Sequence, residues 1–309
     1  MKPFDVRLQI QPERIWKEKE KDWKYMQPRT TYFEYVRVAD NDRQACVPVL
    51  RYHCFDAYPE ITVGFSTRFG GVSENWLSSM NLSFSRGDKP EFVTENHRRF
   101  GQAVGYDYKR LVFSDQVHDT KIRVVTEEDA GKGTVRPLDY EGIDGLITDV
   151  VNLPLMTFYA DCVPLFFYDP KKRVVATAHS GWRGTVGKIG TKMIEKMKSI
   201  YGCEAADIIC AIGPSICLSC YEVSEDVAEE FRVAYTKTQQ EEILISKGNG
   251  KYLLDLHKAC AINFLEAGVT VEHIAMPDLC TCCNRELLFS HRATAGKRGN
   301  LGAVIMLRG

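Results

Sequence analysis

The 309-residue chain carries 40 Lys and Arg against 41 Asp and Glu, a net charge of −1, with 44% hydrophobic and 26% charged residues. That balance belongs to an ordinary soluble globular protein of one large or two small domains, and it excludes a basic footprint for nucleic acid or an anionic membrane. The opening MKPFDVRLQIQPERIWKEKE lacks the apolar stretch of a secretory signal, and no apolar run reaches bilayer length, so a cytoplasmic location without membrane contact is expected. In that compartment the eleven cysteines are expected as thiols, and clusters among them as metal-binding or catalytic groups.

Residues 1–60 are the least patterned and are expected to form an N-terminal appendage; ERIWKEKEKDWKYM reads as a surface helix or an extended arm. From ITVGFSTRFGGVS onward, residues 61–309 are expected to form one domain. LVFSDQVH (111–118), LPLMTFYAD (153–161), VPLFFYD (163–169) and RVVATAHS (173–180) are rich in β-branched and aromatic residues and bounded by turn signals, and are read as strands. GTVGKIGTKMIEKMKSIYG (184–202) changes to helical spacing, with Ile189, Met193, Met197 and Ile200 recurring and Gly202 as a stop. DIICAIGPSI (207–216) is a strand entering a Gly-Pro turn, and SEDVAEEFRVAYTK (224–237) and LDLHKACAINFLEAG (254–268) are helices. HIAMPDL, LLFSHRAT and LGAVIMLR close the chain as strands. The alternation, without repeats or linkers, predicts an α/β (α+β) layered sandwich with mixed β-sheets and outer helices.

Three metal-type side chains sit at the ends of these apolar runs: His118 in FSDQVHD, Cys162 in YADCVP and His179 in TAHSGWRG. A catalytic zinc takes three imidazole or thiolate ligands and keeps a fourth position open, whereas magnesium and calcium prefer oxygen. The spacings match no short-loop zinc signature, so a buried cysteine beside two hydrogen-bonded histidines accounts for the same residues. Asp161, adjacent to Cys162, reads as a proton shuttle, as an orienter of a ligand, or as a structural carboxylate. Arg183, between glycines in SGWRGT, and Arg68, before the glycines of STRFGGVS, suit an anion, although a lone Arg beside glycine is commonly a surface turn residue. FSHRATAGKRGN groups His291, Arg292, Lys297 and Arg298 as either a solvated basic loop or the wall of an anion pocket. Cys217 and Cys220, with Cys280, Cys282 and Cys283, offer C-x-x-C twice across a gap far longer than that of a zinc ribbon, and read as a second metal site or as free thiols.

With TRFGGVS, NLSFSRGD, QVH, DGLIT, ADCVPLFFYD, AHSGWRGT, GPSI, CYEV and FSHR in order over residues 61–308, the chain resembles the laccase-domain family. Members of that family have been called polyphenol oxidases or peptidoglycan-editing factors and are now read as multifunctional purine nucleoside enzymes. The resemblance implies a sandwich fold like that of the cytotoxic necrotizing factor deamidase and a zinc ion on His118, Cys162 and His179. It implies phosphate or nucleoside contacts at Arg68 and Arg183. It also implies phosphorolysis of adenosine, inosine, guanosine and methylthioadenosine together with deamination of adenosine, the partners being a purine nucleoside and phosphate. Two positions depart from the family pattern: Asp119 follows His118 where Gly is usual, and Cys217 follows GPSI where Gly is usual.

Three rival readings stay beside this one. A metal-free cysteine hydrolase or deamidase uses Cys162 as nucleophile and His179 or His118 as base. A non-enzymatic envelope or partner-binding role needs no Cys162. A copper-dependent phenol oxidase meets only seven histidines, where several coppers need about ten. Which nucleoside is preferred, and the oligomeric state, the sequence leaves open.

Overall fold

Branched and aromatic side chains pack on a pleated surface, and stretches at helical spacing cover it with one apolar face. The computed structural model describes residues 30–40 and 43–309, so the charged stretch expected as an N-terminal helix or arm lies outside the described residues. The first half holds β1 (Thr31–Asp40), β2 (Arg43–Tyr52), β3 (Ile61–Ser66), α1 (Pro90–Val104), β4 (Val112–Phe113), β5 (Ile122–Val124), β6 (Gly145–Thr148) and β7 (Leu155–Tyr159). There follow β8 (Val163–Asp169), β9 (Val174–Ser180), α2 (Trp182–Val186), α3 (Ile189–Tyr201), β10 (Ile209–Ile212), β11 (Glu222–Ser224) and α4 (Glu225–Ala234). The remainder is α5 (Lys237–Ile243), β12 (Leu244–Gly248), β13 (Lys251–Leu254), α6 (Leu256–Glu266), β14 (Ile274–Ala275), α7 (His291–Thr294) and β15 (Leu301–Leu307).

One six-stranded sheet runs β1-β2-β3-β15-β7-β4, a second runs β14-β10-β8-β9-β6-β5, and β11-β13-β12 form a small third. The pairs β4–β7, β5–β6 and β10–β14 are parallel and the rest antiparallel, so both large sheets are mixed as expected. Strand alternation decides the layers. Phe65, Tyr159 and Ile305 of the first sheet meet Phe166, Tyr168 and Val175 of the second in one core. The opposite faces of β8 and β9, with Leu165, Phe167, Ala176 and Ala178, pack under Ile189, Met193, Ile194 and Met197 of α3 and Ala259 and Phe264 of α6. On the other side α1 covers the first sheet through Phe100, Ala103 and Val104. Each fully buried large apolar side chain contributes about 1.5–3 kcal/mol, so these three cores fix the order helix, sheet, sheet, helix.

Four differences from the sequence reading have local causes. The run 111–118 is a strand only over β4, because the amides of Val117, His118 and Asp119 turn onto the carboxylate of Asp144. LLFSHRAT is no strand: the Ser290 hydroxyl accepts from the Ala293 amide and starts α7, and HIAMPDL keeps only the two residues of β14. The helix expected over 184–202 divides at Lys188, whose φ of 58° is left-handed; in the last turn Ile200 is 47% exposed and Tyr201 packs instead. Residues 31–52, expected outside the domain, add β1 and β2 to the first sheet through Val49↔Ser66 and Leu50↔Phe65, and Leu50 and Tyr52 are buried in the core between the sheets. Among the described residues, no helix is long and apolar enough to cross a membrane.

Candidate metal centre

The site stands where the chain leaves one large sheet for the other. β7 ends at Tyr159, Ala160-Asp161-Cys162 crosses the gap, and β8 starts at Val163 beside Ser180 of β9. That pairing sets Cys162 next to His179, which lies on the face of β9 turned toward the first sheet, its ring 5.6 Å from that of Tyr159. The third member arrives on the loop after β4, where His118 adopts a φ of 65°. His118 Nε2 stands 3.8 Å from Cys162 Sγ, and the two imidazoles cross edge to face with centroids 4.8 Å apart. One donor atom from each of His118, Cys162 and His179 lies within 4.8 Å of the others, so the trio read from separate runs converges. Only the placement differs: His118 is on a turn and Cys162 precedes its strand.

Asp144, one residue before β6 and fully buried, organises the set. Its Oδ1 accepts from His179 Nδ1 at 2.7 Å and from the His118 amide at 3.1 Å, and its Oδ2 accepts from the amides of Val117 and Asp119 at 3.0 Å each. One carboxylate thus holds His179 by its far nitrogen, leaving Nε2 to the centre, and shapes the loop that presents His118. Burial opposes the charge on Asp144, but His179 and these amides outweigh it and hold its carboxyl below the usual carboxylate range. Likewise burial opposes ionisation of Cys162, yet the facing charge of His179 and the hydrogen bonds of both histidines bring the thiol down. His179 is raised by the Cys162 charge and by Asp144 against its own burial. In this row the thiol is drawn toward ionisation and the imidazole toward protonation, with a carboxylate behind them.

A metal ion requires deprotonated sulfur and free imidazole nitrogen, and the donor set offers both. The approach is also kept clear: a Cβ on Gly181 would lie 2.8 Å from His118 Cδ2 and 3.3 Å from Cys162 Sγ. Gly181 has a φ of −71°, which any residue adopts, so its lack of a side chain serves this clearance rather than the backbone. Gly181→Ala is expected to keep the wild-type melting profile by circular dichroism while weakening metal binding at least about tenfold in a chelator competition.

Asp161 does a different job from the proton shuttle read from its position. Its φ is 91°, its Oδ1 accepts from the Thr281 hydroxyl at 2.6 Å, and its Oδ2 accepts from the Arg292 amide at 2.6 Å. A side chain so tied holds a left-handed residue in place beside Cys162 and is a positioning residue. Among the basic candidates, Arg68 gives Nε to the Ser78 carbonyl and Nη1 to that of Arg285, and Arg292 gives Nη1 and Nη2 to the carbonyls of Cys220 and Glu222. Both act as braces. Arg183, on the five-residue α2, lies over the Trp182 ring at 4.3 Å. Exposed His291 is held below its ordinary pKa by burial of its ring and by Arg298, Arg86 and Arg292.

Arg298, one of the four basic residues read as a solvated loop or as the wall of an anion pocket, belongs with these groups. Its Nε is buried without a hydrogen-bond partner, and burial and neighbouring Arg86 bring its guanidinium down to about 10, against the pull of Cys162 and Asp161. Arg86, in the NLSFSRGD stretch, donates to the Gly296 and Arg298 carbonyls and steadies that loop. Neither Arg86 nor Arg298 has an ion-pair partner among the described residues. Asp144 was in plain view in DGLIT: an acid opening a short apolar strand is the signal that would have found it.

A family model described as multi-copper polyphenol oxidoreductase laccase matches residues 62–308. The purine nucleoside phosphorylase YlmD of Bacillus subtilis (strain 168) is 35% identical over 250 residues, which cover 81% of this chain and 89% of that protein. The protein of the same name from Geobacillus stearothermophilus is 36% identical over 248 residues, 78% of this chain and 88% of its own length. Among solved structures, the Bacillus licheniformis hypothetical protein YfiH aligns with a TM-score of 0.80 at 34% identity, covering 84% of this chain and 96% of that one. YlmD from Geobacillus stearothermophilus aligns with a TM-score of 0.79 at 32% identity, covering 89% and 100%.

Proposed function

The chain belongs to the multi-copper polyphenol oxidoreductase laccase family, and from that premise we propose that it is a zinc-dependent purine nucleoside phosphorylase that also deaminates adenosine. The observation that carries the reading is the convergence of His118, Cys162 and His179, braced by Asp144, beside an arginine whose buried Nε lacks a partner. A zinc ion in this set would supply Lewis acidity toward an oxygen of the nucleoside or of phosphate. His179 would hold it through Nε2, the nitrogen that Asp144 leaves free, His118 through the Nε2 that faces Cys162, and Cys162 as the thiolate. Arg298 and Arg183 give phosphate a positive wall in a partly dry site, where such contacts gain strength, and His291 adds a ring nitrogen for hydrogen bonding. Held there, a phosphate oxygen attacks C1′ of the ribose while the C1′–N9 electron pair leaves with the base, and the purine nitrogen takes up a proton. Fixing phosphate and nucleoside in line is the principal contribution of the protein's own side chains. In deamination water adds instead at the purine C6, the C6–N6 bond breaks and ammonia leaves, and only the metal end of the site is needed.

Copper oxidation finds no support in the ligand geometry: of the seven histidines, only His118 and His179 share a metal-type cluster among the described residues. His97 is bonded to the Leu82 carbonyl and His257 to the Ser215 hydroxyl. A second reading draws on a specific observation, Cys162 beside His179 with the ring held from behind by Asp144, which is the arrangement of a cysteine nucleophile with its oriented base.

The test is to purify the full chain without added metal, measure bound zinc, and incubate with adenosine with and without phosphate, following adenine, inosine and hypoxanthine. Zinc-dependent adenine release that requires phosphate is the expected result, with inosine as the phosphate-independent product. No product from adenosine, inosine, guanosine or methylthioadenosine would overturn the reading. Turnover that survives complete chelation and is stopped by iodoacetamide at Cys162 would put the cysteine nucleophile first.

A further inference from the structure

Across the loop from Cys162 the fold assembles a second sulfur cluster. We propose that Cys217, Cys220, Cys280 and Cys283 form a closed tetrathiolate site for a structural zinc ion, one that staples together the loops holding Asp161 and thereby Cys162. The four sulfurs lie within 4.8 Å of one another, although the two C-x-x-C segments are 63 residues apart, and Cys220 Sγ and Cys283 Sγ are 3.4 Å apart. Sulfurs bound at about 2.3 Å to a tetrahedral zinc stand roughly 3.8 Å from one another, so this spacing needs only small side-chain adjustments. The surrounding backbone suits thiolate. Cys280 Sγ accepts from the amides of Cys217 at 3.3 Å and Cys283 at 3.4 Å, the kind of donor that steadies a charged metal ligand. Cys217 and Cys280 are buried and Cys220 and Cys283 half-buried, so bound metal would be closed off by four protein ligands with no position for water.

The position in the fold gives the site its purpose. A bridge pairs Ser215 with Cys280, the Thr281 amide donates to the Ser215 carbonyl at 3.1 Å, and the Ile216 amide donates to the Asp161 carbonyl at 3.0 Å. Thr281, inside the second C-x-x-C, gives its hydroxyl to the Asp161 carboxylate. Ile216, just before the first cysteine segment, and Thr281, inside the second, therefore touch the strained residue next to Cys162, and the segments hold no regular structure beyond the single 3-10 turn Leu218–Cys220 to stiffen them. Binding converts four thiols to thiolates and releases four protons, leaving two negative charges on the filled site. Arg292, whose guanidinium donates to the Cys220 carbonyl, stands close enough to offset part of that charge. Cys217, one of the two departures from the family pattern, completes the ligand count; its φ of −81° is ordinary, so a side chain there costs no backbone strain.

Full-length protein prepared under reducing conditions tests this through metal content rather than turnover. Wild type is expected to hold two zinc equivalents per chain, Cys162→Ala one, a Cys220→Ser/Cys283→Ser double variant one, the combination none, and Cys282→Ser two. Replacement by Co2+ gives a readout that needs no cluster variant: the wild-type protein is expected to show the intense tetrahedral visible bands and sulfur-to-cobalt charge transfer of a thiolate-rich site. Four of the five coordinating thiolates belong to the cluster, so the charge-transfer intensity should fall by about a fifth in Cys162→Ala and by about four-fifths in the double variant. Wild-type protein that holds only one zinc equivalent, and none after Cys162→Ala, or a charge-transfer band no stronger than one thiolate gives, would overturn the proposal. So would nine titratable thiols in denatured, unreduced protein in place of the eleven in the sequence, since that marks a disulfide between cluster cysteines. Failure of the phosphorylase assay bears on the first metal set and leaves these counts unchanged.

Discussion

Cys162→Ala is expected to lower kcat/KM for phosphorolysis of adenosine by at least about 100-fold and to release one metal equivalent per chain, with little change in the urea midpoint. Outer partners of metal ligands already account for roughly 10–100-fold when removed, so loss of the single thiolate of the set stands at or above that range. A hundredfold corresponds to about 2.7 kcal/mol of transition-state stabilisation. The fold should tolerate the change because Cys162 is half-buried in the crossing and Asp161 keeps both of its hydrogen-bonded anchors. The comparison is made by steady-state kinetics with metal analysis of the same samples. Unchanged activity in the variant would remove Cys162 from both the metal-dependent and the nucleophilic mechanisms.

Asp144→Asn should be nearly as damaging by another route. The amide keeps the carboxylate's shape but turns an N–H donor toward donors, because both native oxygens accept: four hydrogen bonds end on them. Activity or metal affinity is expected to fall about 10–100-fold. Stability is expected to fall by about 2–3 kcal/mol in urea unfolding, since the exposed loop amides regain water while buried His179 loses a charged acceptor. The pH dependence carries a sign. The folded Asp144 carboxyl is held below its ordinary range, so its stabilisation is full at neutral pH and is lost as pH falls through the acid range below the usual carboxylate value. In the metal-free protein the Asn variant should lose that part of the acid limb. An unchanged acid limb together with full activity would show that His179 does not depend on Asp144.

Most of the site was legible in the sequence because each metal-type residue sits beside an apolar run whose end could be read. His118, Cys162 and His179 were found that way and do converge. What could not be read is the partner chosen by tertiary packing. DGLIT marks Asp144 as an acid opening a strand, but that it is buried on a histidine, while Asp161 is tied to a threonine hydroxyl and a backbone amide, comes only from packing. The same holds for the arginines: Arg68 and Arg292 look like anion ligands beside glycine or histidine, and three-dimensional proximity gives their N–H groups to carbonyls. In the fold, long β8, β9 and β15 and the helix over α6 were clear from their runs. The segments after β4 and β14 were not, because hydrogen bonds to distant side chains end those strands while their sequences still look apolar. The β1–β2 hairpin was hidden for the opposite reason, with exposed Tyr32, Glu34 and Tyr35 making a sheet edge read as a solvated arm.

The place of β15 between β3 and β7 has a consequence for how the protein comes into being. Its partner β3 lies nearly the whole described chain away, so the first sheet stays split while the ribosome makes everything between them. During that interval the nascent polypeptide already carries His118, Cys162 and His179 but has two bare strand edges, a template for wrong pairing. The wall that backs His118, Cys162 and His179 closes only when synthesis has passed β15, and assembly of the sheet is therefore a late, non-local event that favours protection of its open edges by chaperones.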